Sequence, residues 1–190
     1  EKILFESGMR AIDAKLNSTN GGSIAVTASH LESKFAESSD LIHLRNLEVK
    51  MNLRNLDSFQ RFVTSTLRHR DDLIKVLQKL KDDGKRVYGL GASTKGNVLL
   101  QYCQLTVDLV GKIGEVNVEK FGKITPGSHI PIVSEVEMRN DSPDVLLVLP
   151  WHFKESIIKR ESEFLAGGGA LLFPLPKLTF VTKDGESSEY

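Results

Sequence analysis

The sequence predicts an α/β domain: a parallel sheet with flanking helices, preceded by a helical segment and a small helix–strand–strand unit. Three observations carry this. From residue 85 to about 176, short apolar runs alternate with helical segments, the pattern of a sheet built from crossover connections. One run, Val145 to Leu149, is nearly all apolar, as a strand covered on both faces should be. A glycine-rich bend, Gly89 to Asn97, follows the first run directly.

The elements are read in order along the chain. Glu1 to Gly8 reads as the end of a helix stopped by Gly8. Arg10 to Leu16 alternates polar and apolar residues, as a half-buried strand does. Asn17 to Ser23 is turn chemistry, and Ile24 to Ser29 resumes strand character. Residues 1–30 are too few for a domain and read as the last unit of a larger one. In residues 31–84 a polar connection leads to two helices. Asp40 is the expected N-cap of the first, which runs to about Met51. Asp57 or Ser58 begins the second, and Phe59, Phe62, Val63, Thr66, Leu67, Leu73, Val76, Leu77 and Leu80 recur at helical spacing until Gly84.

Residues 85–182 form the main domain. Strands are expected at Val87–Leu90, Leu109–Val116, Ile130–Val133, Val145–Leu149 and Ala170–Phe173, with a short one at Leu178–Thr182. Helices are expected at Lys95–Gln104 and His152–Leu165. Residues 183–190 are a polar tail with the composition of a disordered end.

Composition narrows the partners. The chain has 190 residues, 40% of them apolar and 26% charged, so it can bury a core without disulfide staples. The formal net charge is zero, which argues against the broad basic surface of a nucleic-acid binder. The single cysteine, Cys103, excludes an intrachain disulfide and fits a reducing cytoplasm. It lies in an apolar run, as a buried small hydrophobe would. No apolar stretch reaches membrane-spanning length, and no signal-peptide pattern opens the chain. Because the chain starts with Glu, it is expected to be a piece of something longer. No cluster has metal-ligand spacing.

The chemistry-bearing residues gather at strand ends. The glycine bend places Gly91, Ala92, Ser93, Thr94, Lys95, Gly96 and Asn97 at a strand-to-helix junction. There, glycines allow close approach, helix amides offer donors, and Lys95 adds a charge, which together suit a phosphate or diphosphate. The junction is Rossmann-like, although the glycine order matches neither G-x-G-x-x-G nor a P-loop. The alternative is a tight turn whose glycines serve packing only. Glu115, about twenty residues on, stands where an acid accepts hydrogen bonds from a ribose, or is a surface carboxylate. His129 follows a Pro126-Gly127 turn and either contacts a ligand or ties down its loop. Trp151 and His152 follow the most buried strand, where Trp151 either covers a base or sugar ring or joins the core.

Three motifs together resemble the C-terminal domain of the nucleotide-sugar C-methyltransferase family. They are GLGASTKGN at 89–97, the stretch Asn117, Lys120, Gly122, Pro126, Gly127, Ser128, His129, Ile130, Pro131, Ile132, and LLVLPWHF at 146–153. Asn20 to Ser23 (NGGS) resembles the family's turn between the last two strands of its methyl-donor domain. The resemblance implies a class I methyltransferase tail in 1–30, a helical linker in 31–84 and the Rossmann-like C-terminal domain in 85–182. It implies an S-adenosylmethionine-dependent transfer of methyl to carbon of a nucleotide-linked keto-deoxy-sugar. It also implies upstream donor-binding and zinc-binding regions, whose sites are expected outside these residues. Phosphate contacts are expected from Gly91 to Asn97, and ribose, base or sugar contacts from Glu115, Asn117, His129, Trp151 and His152. The sequence departs from the family at Gly114-Glu115-Val116-Asn117, where Val-Asp-Arg-Asn is common; the acid is kept and the basic group is lost. The catalytic base is not identifiable, and the chain alone is expected to be inactive. Two other readings remain: a remnant of a Rossmann oxidoreductase using Gly89, Gly91, Gly96 and Glu115 for NAD, and a non-catalytic nucleotide-sugar-binding module.

Overall fold

The structure, a computed structural model, describes residues 1–188. The chain falls into two compact units, Glu1–Thr64 and the stretch from Ser65 onward.

The first unit contains α1 (Lys2–Glu6), β1 (Met9–Asn17), β2 (Ser23–His30), α2 (Ser39–Lys50) and the start of α3 (Leu56–Asp82). β1 and β2 form an antiparallel hairpin closed at Asn17 and Ser23. Its turn needs the left-handed region, which Asn20 and Gly21 supply with φ of 53° and 83°. α2 is capped by Ser38 rather than by the expected Asp40; the Ser38 hydroxyl accepts from the Leu41 amide at 3.1 Å. Asp40 lies two residues inside, in the first turn, where the helix dipole favours an acid. The core of this unit is small: Ala11, Ala14 and Leu41, flanked by Leu4 and Leu44. Farther along the same hairpin face, Leu16, Ile24 and Val26 are exposed by half or more.

The second unit holds the sheet. Its strands are β3 (Val87–Leu90), β4 (Ile113–Glu115), β5 (Ile132–Ser134), β6 (Val145–Val148), β7 (Ala170–Phe173), β8 (Thr179–Thr182) and β9 (Gly185–Ser187). The spatial order is β5-β4-β3-β6-β7-β8-β9. The first five are parallel, and β8 and β9 add on antiparallel. Part of the expected disordered tail thus extends the sheet; Glu189 and Tyr190 lie outside the described residues.

Alternation along the central strands explains the two-sided core. Val145 and Leu147 of β6 face one cluster with Leu172, while Leu146 and Val148 face the other with Leu171 and Phe173. The first cluster is covered by the second half of α3, through Leu73, Leu77 and Leu80, and by α4 (Thr94–Tyr102), through Leu99 and Leu100. The second is covered by α5 (Glu135–Asn140), α6 (Lys154–Arg160) and α7 (Ser162–Ala166), through Met138, Ile157 and Leu165. α3 ends as expected: Gly84 takes a φ of +73° and the Lys85 amide reaches back to Leu80 O at 2.8 Å.

Several expected elements are cut shorter or broken. The second strand starts only at Ile113, because Leu109 and Val110 close a turn onto Thr106 O. β5 begins after Pro131, which has no N–H to give the ladder. The expected helix over 152–165 breaks into a 3-10 turn (Trp151–Phe153), α6 and α7. The α6–α7 joint falls at Glu161, whose buried carboxylate takes Arg139 at 2.6 Å and Arg160 at 2.9 Å.

Leu147→Ala tests this core. The side chain is fully buried in the central strand, so urea unfolding should show a loss of about 2–5 kcal/mol.

Candidate functional site

In the sheet, β3 leads on to β4 on one side and β6 leads on to β7 on the other. Between β3 and β6 the connections therefore diverge, leaving a crevice at the carboxyl ends of the strands, where open α/β sheets bind ligands. The glycine bend leaves β3 here, and Pro150 and Trp151 leave β6. Glycine is required at both ends of the bend. Gly91 has a φ of +78°, and a Cβ there would stand 3.0 Å from Pro150 Cγ. A Cβ on Gly96 would fall 2.6 Å from Leu149 Cβ, so Gly96 lets α4 sit against the β6 end.

The bend does not present the row of open amides that its sequence suggests. The Gly91 amide donates to Gly114 O at 2.8 Å and the Ser93 amide to Gly91 O at 2.9 Å. Ser93 is the N-cap of α4: its hydroxyl accepts from the Gly96 amide at 2.9 Å and donates to Leu149 O. The Asn97 amide donates to Ser93 O at 3.0 Å. Thr94 and Lys95 are exposed in the first turn of α4.

Glu115 organises the bend. It is 6% exposed at the end of β4. One carboxylate oxygen accepts from the Val116 and Asn117 amides at 2.8 and 3.0 Å; the other accepts from the Ala92 amide at 2.9 Å and Lys120 Nζ at 3.0 Å. Lys120 Nζ also donates to Ala92 O at 2.9 Å. The peptide groups of Ala92 are thus gripped on both sides by one ion pair. Burial alone would raise the Glu115 pKa, but the Asn117 amide, Lys120 and the Val116 amide outweigh it and hold the carboxyl below its ordinary value. With four acceptor directions taken, Glu115 has none left for a ribose hydroxyl, the role expected of it.

The other expected residues divide. Asn117 is exposed and turns its side chain to the Glu119 amide at 3.0 Å. His129 is exposed with a φ of 55°, and its amide donates to Thr125 O at 3.0 Å; this loop is fixed by the Thr125 and Ser128 hydroxyls. Trp151 is half-buried and packs against both core clusters. His152 is also half-buried; burial and then the Lys95 charge push its pKa down, so it is neutral near pH 7. Two side-chain polar atoms, Asn97 Oδ1 on α4 and His152 Nδ1 in the turn after β6, are enclosed and have no hydrogen-bond partner among the described residues.

A cavity of about 390 Å³ opens beside the bend. Gly91 to Ser93, Glu115 and Lys120 form one side, and Pro150, Phe153, Ser156, Ile157 and Arg160 the other. Of the second group, Pro150 and Phe153 stood in the quoted LLVLPWHF motif without a role, and sequence reasoning missed Ser156, Ile157 and Arg160. Lys120 stood in a quoted motif without a role, while Ser156 and Arg160 look like ordinary helix-surface residues until α6 is placed.

Zinc does not fit these residues. Among the described residues no group of three or more His, Cys, Asp and Glu could hold a metal ion. Burial pushes the Cys103 thiol up to about 11, far from the thiolate a metal takes. No described helix is long and apolar enough to cross a membrane.

The fold and the crevice define a doubly wound α/β domain with its candidate site at the topological switch point. More particularly, residues 18–176 match the family model for the C-methyltransferase C-terminal domain, and the chain belongs to that family. A curated relative, the C-methyltransferase NovU of Streptomyces niveus, is 34% identical over 175 residues. The match covers 92% of this chain and 42% of the relative, so the chain spans about two fifths of that protein. The family assignment sets the oxidoreductase reading aside. Methyltransferases in general draw their methyl group from S-adenosylmethionine. At the bend, the acid that a ribose of any ligand would need is already engaged by the backbone and Lys120.

Glu115→Gln should place an amide donor against the Ala92 N–H or Lys120 and cost about 1–3 kcal/mol in denaturant unfolding. The folded-state pKa of Glu115 is depressed. Its contribution is therefore complete above the unfolded value, about 4.3, and is lost as pH falls through the folded value. The variant should lose that acid-side slope.

Proposed function

We propose that this chain is the nucleotide-sugar-binding part of an S-adenosylmethionine-dependent sugar C-methyltransferase. In this reading residues 1–30 are the tail of a methyl-donor domain, 31–84 a helical linker, 85–182 the binding domain and 183–190 its tail. The uncovered Leu16, Ile24 and Val26 on the hairpin fit a strand pair that belongs to a larger sheet. The upstream donor and zinc regions of the same polypeptide are its partners, and the cytoplasm is its compartment, where a lone cysteine stays reduced.

The observation that carries the reading is the pair of enclosed, unpartnered polar atoms, Asn97 Oδ1 on α4 and His152 Nδ1 in the turn after β6, on the two elements that leave the switch point. Buried polar atoms are as a rule hydrogen-bonded, so exceptions on these elements point to a ligand. Thr94 and Lys95, at the positive end of α4, supply the anion side of that ligand, the diphosphate. The committed amides of Gly91, Ala92, Ser93, Gly96 and Asn97 serve by holding the bend rigid.

S-adenosylmethionine supplies an electrophilic methyl group. The domain's own work is binding and orientation: contacts to the remote diphosphate and nucleoside fix the sugar where a carbon nucleophile can form. No residue here is assigned as the base that makes it.

Lys95→Ala should weaken binding of a nucleotide-sugar by roughly tenfold, about 1.4 kcal/mol, in calorimetry. Unchanged affinity removes the diphosphate assignment. The 190-residue chain should transfer no labelled methyl group from S-adenosylmethionine; turnover by this chain alone would overturn its reading as a binding part.

A further inference from the structure

We infer that Glu115 and Lys120 are positioning residues for anion binding at the first turn of α4: acting through the Ala92 peptide groups, without touching the ligand, they place Thr94 and Lys95. This rests on the diphosphate reading above and adds to it the pair on which those two contacts depend.

The bend has a swivel and a single outside hold next to it. Gly91 turns the chain at a φ of +78°, and glycine has little conformational preference of its own. The amides of Gly91 and Ser93 bond to backbone, at Gly114 O and Gly91 O. Ala92, between them, is held by side chains instead. Glu115 accepts from its amide at 2.9 Å, and Lys120 donates to its carbonyl at 2.9 Å. Ala92 is 7% exposed, so bulk water is a poor substitute for either bond. It stands two residues before Thr94 and three before Lys95. A rotation of its peptide groups therefore carries the N-cap Ser93, and with it what the first turn presents.

Neither member of the pair is suited to hold the anion itself. Glu115 is a carboxylate with its four acceptor directions taken, and its charge repels an anion. Lys120 spends two of its three N–H bonds on Ala92 O and Glu115, and the carboxylate at 3.0 Å offsets its charge. Both residues line the cavity on the α6 side of the bend, whereas α4 packs on the opposite face of the sheet.

The sign of one substitution separates the possible roles. By charge alone, Glu115→Gln removes a repelling carboxylate and unmasks Lys120, so an anion near the bend binds more tightly. By positioning, the same change breaks the hold on the Ala92 amide and loosens the bend, so the anion binds less tightly. A role confined to stability changes neither.

Calorimetry with pyrophosphate on the full chain tests this, at a temperature where circular dichroism shows each variant folded. Glu115→Gln should weaken pyrophosphate by roughly fivefold or more. Lys120→Met should do the same. The Lys120 side chain is half-exposed, and its loss leaves Glu115 three amide partners, so this variant should keep its fold. In a chain that already carries Lys95→Ala, adding Lys120→Met should cost far less than in the wild type, because the cation it places is gone.

A Glu115→Gln variant that binds pyrophosphate as tightly as the wild type, or more tightly, overturns the positioning role. Where Glu115→Gln does not fold, the Lys95 and Lys120 variants decide. A cost of Lys120→Met that is the same with and without Lys95 makes Lys120 an independent contact and overturns the role as well. If Lys95→Ala by itself still weakens binding in these cases, the diphosphate reading survives alone. A wild-type chain that binds no pyrophosphate overturns this inference together with the reading beneath it.

Discussion

The pairing of buried Glu115 with half-buried Lys120, closed around Ala92, is the constraint on which the rest of the site depends. Glu115 takes the Ala92 amide and Lys120 takes the Ala92 carbonyl, so a single peptide unit after β3 is fixed from both directions. That fixes where the bend turns, where Ser93 caps α4 and where Thr94 and Lys95 emerge. A buried carboxylate is tolerable only when its acceptor capacity is met, and here three amides and an ammonium meet it. The pair spans two strand ends, β3 and β4, so it also sets the rim of the sheet at the switch point.

A bend held this way works as a rigid divider. Its amides face inward, toward Gly114, Glu115 and Ser93, and give the ligand little directly. What it creates is two regions on either side of itself: the cationic first turn of α4, and an apolar cavity against α6. Preorganising the divider spares the ligand the entropy of ordering a glycine-rich loop.

Much of this was legible in the linear chain, for definite physical reasons. The all-apolar Val145 to Leu149 run could only be a strand covered on both sides, and its residues alternate between the two core clusters. The glycines of the bend were legible because Gly91 adopts a conformation that side chains resist and Gly96 touches Leu149. Boundaries were less legible. Asp40 and Ser38 are both good caps, and which one turns inward depends on Asp13, 25 residues away, whose carboxylate accepts from Ser38. The helix after β6 carries helical periodicity throughout, yet it breaks at Glu161 because Arg139, on α5, draws that carboxylate into the core.

By itself the sequence determined the α/β class, the strand-to-helix bend and the family, because periodicity and short motifs are local properties. Tertiary structure alone decided which groups are spent and which remain. Glu115 reads as a ligand acceptor in one dimension and is a clamp in three, since its partners include Ala92, 23 residues earlier. Arg160 and Ser156 read as helix surface, and only the packing of α6 beside the bend turns them toward a cavity. Hydrogen-bond capacity is shared among residues far apart in the chain, so its final allocation is fixed by the fold.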